Sequence, residues 1–212
     1  MAYGDLCTLA DVKAWLQTGP NPFPSTDDAL LSRLIAAASQ FIESWLGRPV
    51  LSADWLELRD GSGGQVISFA NFPVTAVLSL SIDGLAIAPA PPDGGFGAGY
   101  SFTATELALR GYVFARRSQN VIVAYTAGYP AVPPDIAQAC IELVCQRYRE
   151  RTRIGEVARS IGGNETVRYS VQDMSGPVKM LLSQYRAVAP VSGFVRLLAP
   201  TGTDPALLAA AL

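Results

Sequence analysis

Apolar residues recur at helical spacing in four stretches of this chain, and between the second and third the pattern changes to short alternating runs. The first stretch, TLADVKAWL (8–16), sets Leu9, Val12, Trp15 and Leu16 on one stripe. Thr8 is its N-cap, and Asp11, three residues on, serves the first turn. After the proline-rich loop TGPNPFP, Ser25, Thr26, Asp27 and Asp28 place caps and negative charge at the head of the longest stripe. That stripe is Leu30, Leu31, Leu34, Ile35, Ala38, Phe41, Ile42, Trp45 and Leu46, in steps of i, i+3, i+4 and i+7. Gly47 predicts its end, and Pro49 prevents its return.

From about 53 to 126 the runs are WLELR, QVISF, VTAVLSLSI, YVFA and NVIVAYT, separated by DGSGG, NFP, DG and PPDGGFGAG. Short β-branched or alternating runs bounded by such turn residues predict an antiparallel β unit, with PPDGGFGAG an exposed mobile loop. Helical spacing resumes in AGYPAVPPDIAQACIELVCQRYRERTR (127–153). Pro133, Pro134 and Asp135 suit its start, and Ile136, Ala139, Cys140, Leu143, Val144 and Tyr148 line one face. Residues 154–176 are punctuated by glycine and polar, which predicts an arm that stays disordered until it docks. A short helix follows at 177–188, presenting Val178, Leu181, Leu182 and Tyr185, and from Pro190 the chain reads as a poorly anchored tail. The expected fold is α+β: a mainly helical core with an inserted small antiparallel β unit and an extended C-terminal arm. Residues 1–52 and 127–153 make the helical core, 53–126 the β-rich insert, and 154–212 the arm with its short helix and flexible tail.

Charge sharpens this picture. Only 16% of the 212 residues are charged while half are hydrophobic, which suits a surface partly covered by other chains. Residues 1–146 hold 7 basic and 13 acidic residues, a net of −6; residues 147–212 hold 9 and 5, a net of +4. An acidic body with a basic tail can pair head to tail with copies of itself or present the tail to an acidic partner. Of the 16 basic residues 14 are arginine, the residue suited to forked, partly buried contacts. The arginines concentrate in QRYRERTRIGE (146–156). Arg147 and Arg151 share one face of a helix, and Arg149 and Arg153 another, so the knot can reach two neighbours. The same residues also complement the negative end of their own helix dipole.

Catalytic chemistry finds little to build on. The chain has no histidine, so neither a Ser-His-Asp nor a Cys-His arrangement nor a histidine metal ligand exists. The glycine runs 61–64 and 94–99 lack a following Lys-Ser/Thr and a following helix, so neither is a P-loop. Glu142 and Glu150 read as solvated or ion-paired. Cys7, Cys140 and Cys145 read as small apolar fillers in a reducing compartment. The reading is therefore no enzyme, no cofactor and no metal. The tail ALLAAAL is too short to span a bilayer, and no membrane partner is expected.

In order and spacing, TLADVKAWL, the helix ending in ESWLGRP, FPVTAVLSLSIDG, the run YTAGYPAVPPDIAQA to YRER, and MSGPVKMLLSQYRAVAP are more informative than any is alone. Together, over about residues 8 to 190, they resemble the head–tail connector (adaptor) proteins of tailed bacteriophages. The β insert is longer than the minimal family pattern, and the tail beyond 190 is extra. The resemblance implies a structural protein of the virion neck, assembled in the host cytoplasm. It implies a ring, usually a dodecamer, beneath the portal protein, joined to a stopper or tail-completion protein, with DNA passing through the lumen without sequence reading. It also implies a C-terminal segment that reaches towards the portal, here Val178, Leu181, Leu182, Tyr185 and Arg186, while Arg147, Arg149, Arg151 and Arg153 would lie at the subunit interface. The alternative is a phage accessory protein that binds DNA without sequence specificity.

Overall fold

The computed structural model describes residues 4–17, 19–20, 23–92, 97–151, 158–161, 165–168, 174–186 and 196–198, with the backbone alone at 158–161, 165–168 and 196–198. In chain order the elements are α1 (Leu9–Leu16), α2 (Asp28–Leu46), β1 (Ala53–Arg59), β2 (Val66–Ser68), β3 (Val74–Ile82), β4 (Leu85–Ala86), β5 (Gly99–Phe102), β6 (Glu106–Arg110), β7 (Val121–Ala127), α3 (Pro134–Glu150), β8 (Ala158–Ile161), β9 (Glu165–Arg168), α4 (Gly176–Ser183) and β10 (Arg196–Leu198). The chain divides into a unit of Met1–Gly47 with Val132–Arg186 and a unit of Arg48–Ala131 with Ala187–Leu212. This corrects the expectation of a mainly helical core. The second unit has a hydrophobic core of its own, from Trp55 to Ala127, shared by the inner faces of two antiparallel sheets.

In the helical unit α3 packs against α1, α2 and α4. Thr8 and Asp11 form a reciprocal capping box on α1, and Gly47 closes α2 in the left-handed conformation at φ 74°. The acidic head of α2 works differently from its sequence reading. A 3₁₀ turn at Ser25–Asp27 leads in, and Asp27 caps nothing with its side chain. Its carboxylate accepts from Tyr148 and Arg151, while Asp28 accepts from Lys13 Nζ at 2.7 Å.

In the β unit the larger sheet has the order β10-β1-β7-β3-β4 and the smaller β2-β6-β5. Strands β5 and β6 were not foreseen. ELALR (106–110) is made largely of helix formers, but pairing on both sides, with β2 and β5, overrides that preference. YVFA (112–115) reads as a strand and is irregular instead. Its Phe114 is fully buried, and its backbone bonds the glycine turn, Gly63 N donating to Phe114 O at 2.6 Å and Phe114 N to Gly64 O at 2.8 Å. Gly61 makes that approach possible, because a Cβ there would sit 1.8 Å from the Ala115 carbonyl oxygen. The tail beyond 190 contributes β10, which pairs with β1 from Leu56↔Leu198 to Leu58↔Arg196 and covers its edge. Within the arm, β8 and β9 form an antiparallel pair, so 154–176 is not structureless throughout; residues 93–96 of PPDGGFGAG lie outside the described residues.

Strand β1 turns Trp55, Glu57 and Arg59 inward on alternate positions. Glu57 and Arg59 form an ion pair at 3.2 Å with side chains 0% and 5% exposed. Tyr125 of β7 donates its hydroxyl to Glu57 Oε2 at 2.7 Å and accepts from Asn71 N at 3.3 Å, and Arg59 also donates to the Ser68 carbonyl. Burial, and then the neighbouring Glu57 carboxylate, pushes the Tyr125 phenol well above its usual range, so it stays a donor. Removing one member of a buried pair strands the other. Glu57→Ala is expected to cost about 3–5 kcal/mol, against about 1–2 kcal/mol for Tyr125→Phe, measured by urea denaturation. Equal costs for the two variants would show that the ion pair is not what must be satisfied.

Candidate subunit interface

Helix α3 buries more than one stripe: Ile141 and Cys145 join Ile136, Ala139, Cys140, Leu143 and Val144. Neighbours on several sides require that breadth. Its last turn carries the arginines, and the fold separates them. Arg147 lies 4.9 Å from the centroid of the Phe41 ring of α2. Arg151 stacks 3.7 Å from the Tyr148 ring centroid and pairs with Asp27 Oδ2 at 3.3 Å. The Tyr148 hydroxyl donates to the same Asp27 oxygen, and its ring meets Phe23 edge-on at 5.9 Å. Arg147 and Arg151, expected at a neighbouring copy, are thus engaged by α2 and its leading turn. Arg149 is exposed and makes no ion pair among the described residues. Arg153 lies outside the described residues.

Arg149 lines an open groove of about 480 Å³ with Trp15, Glu142, Cys145, Gln146, Glu150 and Ser175. Gln146 donates to Glu150 Oε1 at 3.3 Å, and Gln138 to Glu142 Oε1 at 2.9 Å, so these carboxylates serve their own helix. Burial pushes the Cys145 thiol up to about 11, which keeps it a neutral thiol rather than a nucleophile at physiological pH.

The residues assigned to a portal-binding face sit otherwise than expected. Val178 and Leu182 are 1% and 0% exposed, because the apolar stripe of the two-turn α4 packs on α3. Leu181 and Tyr185 are half-buried. Tyr185 and Gln184 both donate to Asp135 Oδ2, at 3.2 and 3.0 Å. Arg186 lies 5.2 Å from the centroid of the Trp45 ring. The outward side of α4 presents Lys179 and Met180, the latter 79% exposed.

Sequence reasoning missed that Phe41 and Trp45 are plates for arginines. The available signal was their four-residue spacing, which puts two aromatics on one flank of α2. It also missed that Cys7 and Cys140, read as separate fillers, bring their sulfurs to 3.3 Å. No spacing rule joins two residues 133 positions apart.

Residues 5–188, through both units, match the model of a family described as head completion protein. The chain belongs to the head completion protein family. The resemblance to head–tail connectors is borne out at the level of the family, and with it the class of role: a structural protein that completes the head. No curated protein matches this head completion protein. Among solved structures it is similar to a chain in the neck of an empty gene transfer agent (GTA) particle computed with C6 symmetry: 20% identity, 94% of this chain and 95% of that one, TM-score 0.54. It is similar also to a chain in the virion of the native GTA particle, at 19% identity, 94% and 95% coverage and TM-score 0.54. A chain in the neck of the native particle computed with C12 symmetry gives 19% identity, 94% of each chain and TM-score 0.52. At such identities the likeness is one of fold.

The two classes of arginine in this head completion protein make opposite forecasts. Arg151→Glu sets a carboxylate against Asp27 and is expected to lower stability by about 1 kcal/mol. Arg149→Glu should stay within about 0.5 kcal/mol of the parent, as surface changes usually do. Thermal melts of both variants test this, and an equal drop for both would contradict it.

Proposed function

We propose that this head completion protein closes into a ring of identical copies beneath the portal, joins the capsid to the stopper or tail, leaves a lumen for DNA, and catalyses no reaction. The observation that carries this reading is the family match through both units. A heterologous contact repeated between copies makes a ring when its rotation closes. The C6 and C12 symmetries of the neck structures with similar fold support repeated copies of such a chain. A non-catalytic role is supported by the absence of histidine and by the neutral Cys145 thiol in the groove.

The interface we propose is narrower than four arginines. Arg149, with Arg153, offers positive charge to the acidic body of the next copy, while Arg147 and Arg151 hold the end of α3 in position. The portal contact is then made by the outward side of α4, through Lys179 and Met180, with Val178 and Leu182 fixing the helix from within. Duplex binding needs a row of free cations. Two of the three described arginines in the knot are already engaged, which favours the connector over a DNA-binding accessory protein.

Arg149→Glu is expected to weaken assembly about tenfold or more while the monomer melts normally, because a close interfacial charge pair is worth a kcal/mol or more. Light scattering and electron microscopy, with and without portal-bearing capsids, read this directly. A protein that stays monomeric at all concentrations and never binds such capsids would overturn the connector reading. Normal rings from Arg149→Glu would overturn only the assigned interface.

A further inference from the structure

The helical unit contains a pair of thiols for which the connector role has no use. Cys7, in the segment just before α1, and Cys140, in the middle of α3, are 6% and 0% exposed. Their sulfurs lie 3.3 Å apart, with the Cys7 thiol donating to Cys140. Ser39 Oγ of α2 lies 3.7 Å from Cys140 Sγ and accepts from Leu6 N at 3.0 Å, which ties the Cys7 segment to the same spot. Closing this gap to a disulfide needs a sulfur movement of about 1.3 Å, within reach of side-chain rotation. Cys145, the remaining cysteine, is hydrogen-bonded to neither.

We propose that Cys7 and Cys140 are an oxidisable dithiol that closes to an intramolecular disulfide, locking the segment before α1 onto α3. The hydrogen bond from Cys7 favours the thiolate at Cys140, whose sulfur is the nucleophile once peroxide reaches the buried pair. With a peroxide as oxidant, the Cys140 thiolate attacks one peroxide oxygen and the O–O bond breaks. The sulfur becomes a sulfenic acid, and the departing hydroxide takes up a proton to leave as water. Cys7 sulfur then attacks the Cys140 sulfur, the S–O bond breaks, and a second water leaves with the Cys7 proton. Two thiols have lost two electrons to one peroxide. The link would close a loop of more than a hundred residues, a strong restraint on the unfolded chain. Its use rests on the virion-neck reading: the protein folds in a reducing cytoplasm, and the particle later meets oxidising surroundings. The chemistry itself does not depend on that reading.

The test uses the purified full chain. Hydrogen peroxide is added and removed, the protein is denatured and alkylated, and its thiols are counted by mass spectrometry. Of the three cysteines one is expected to remain reactive. Dithiothreitol should restore all three, and peptide mapping should find Cys7 joined to Cys140. Cys145→Ser should leave the link intact and Cys7→Ser should abolish it. The oxidised form should melt roughly 5 °C higher. Three reactive thiols after peroxide, a loss that dithiothreitol does not reverse, or a link between copies would each overturn the proposal.

Discussion

The β unit depends on what can be put opposite a strand that turns two charges inward. Glu57 and Arg59 lie on the inner face of β1 beside Trp55, so β1 cannot be covered by apolar residues alone. A carboxylate and a guanidinium removed from water are tolerable only when paired and hydrogen-bonded; these two pair with each other, and their further hydrogen bonds come from outside the strand. Tyr125 of β7 supplies a hydroxyl, and the last residue of β2 supplies the Ser68 carbonyl. Trp55 stands opposite Tyr125 in the β1–β7 ladder. A slip of one residue would turn every inward side chain of β1 outward and strand Tyr125. The pair thus fixes register more than it adds stability, and it draws the smaller sheet's leading strand and the main sheet around one polar point in an apolar core.

The helical unit is organised around breadth of burial on a single helix. The stripe on α3 was legible because Ile136, Ala139, Cys140, Leu143 and Val144 repeat at helical spacing. The apolar residues at 141 and 145 were also visible, and their width is the mark of a helix with neighbours on several sides. Partners were not legible. Arg147 and Arg151 share a face by geometry, but only the packed helices show that this face meets Phe41 and Asp27. Likewise the apolar side of α4 could be read from its spacing, whereas the choice between own core and foreign partner is a matter of tertiary proximity.

Strands were legible where they are long and β-branched, as in β3 and β7, and illegible where pairing rather than composition makes them. ELALR would suit a helix in isolation; between β2 and β5 it is the middle strand of a sheet. YVFA has strand composition, yet the glycine turn at 61–64 meets its backbone first and Phe114 goes into the core. Arg196–Leu198 carries no strong signal of its own, and its role comes from the open edge of β1. In each case the deciding term is a non-local hydrogen-bond partner, which no window of local sequence contains.

Internal use of charge bears on assembly. The chain has 16 basic and 18 acidic residues, and Glu43, Arg48, Glu57 and Arg59 are buried. Arg147, Arg151 and Asp27 are occupied with one another's helices. The solvent-facing surface is therefore poorer in free charge than the composition already implies. It also exposes large apolar side chains in both units, among them Trp15 and Met180 in the first and Leu78, Leu85 and Val113 in the second. Sparse charge with scattered exposed apolar residues is the composition that suits burial by apolar contact, with the few free charges left to discriminate between partners. In the ring proposed above, a cation on so sparsely charged a surface, such as Arg149, would do more to orient one copy against the next than one arginine among many on a densely charged protein.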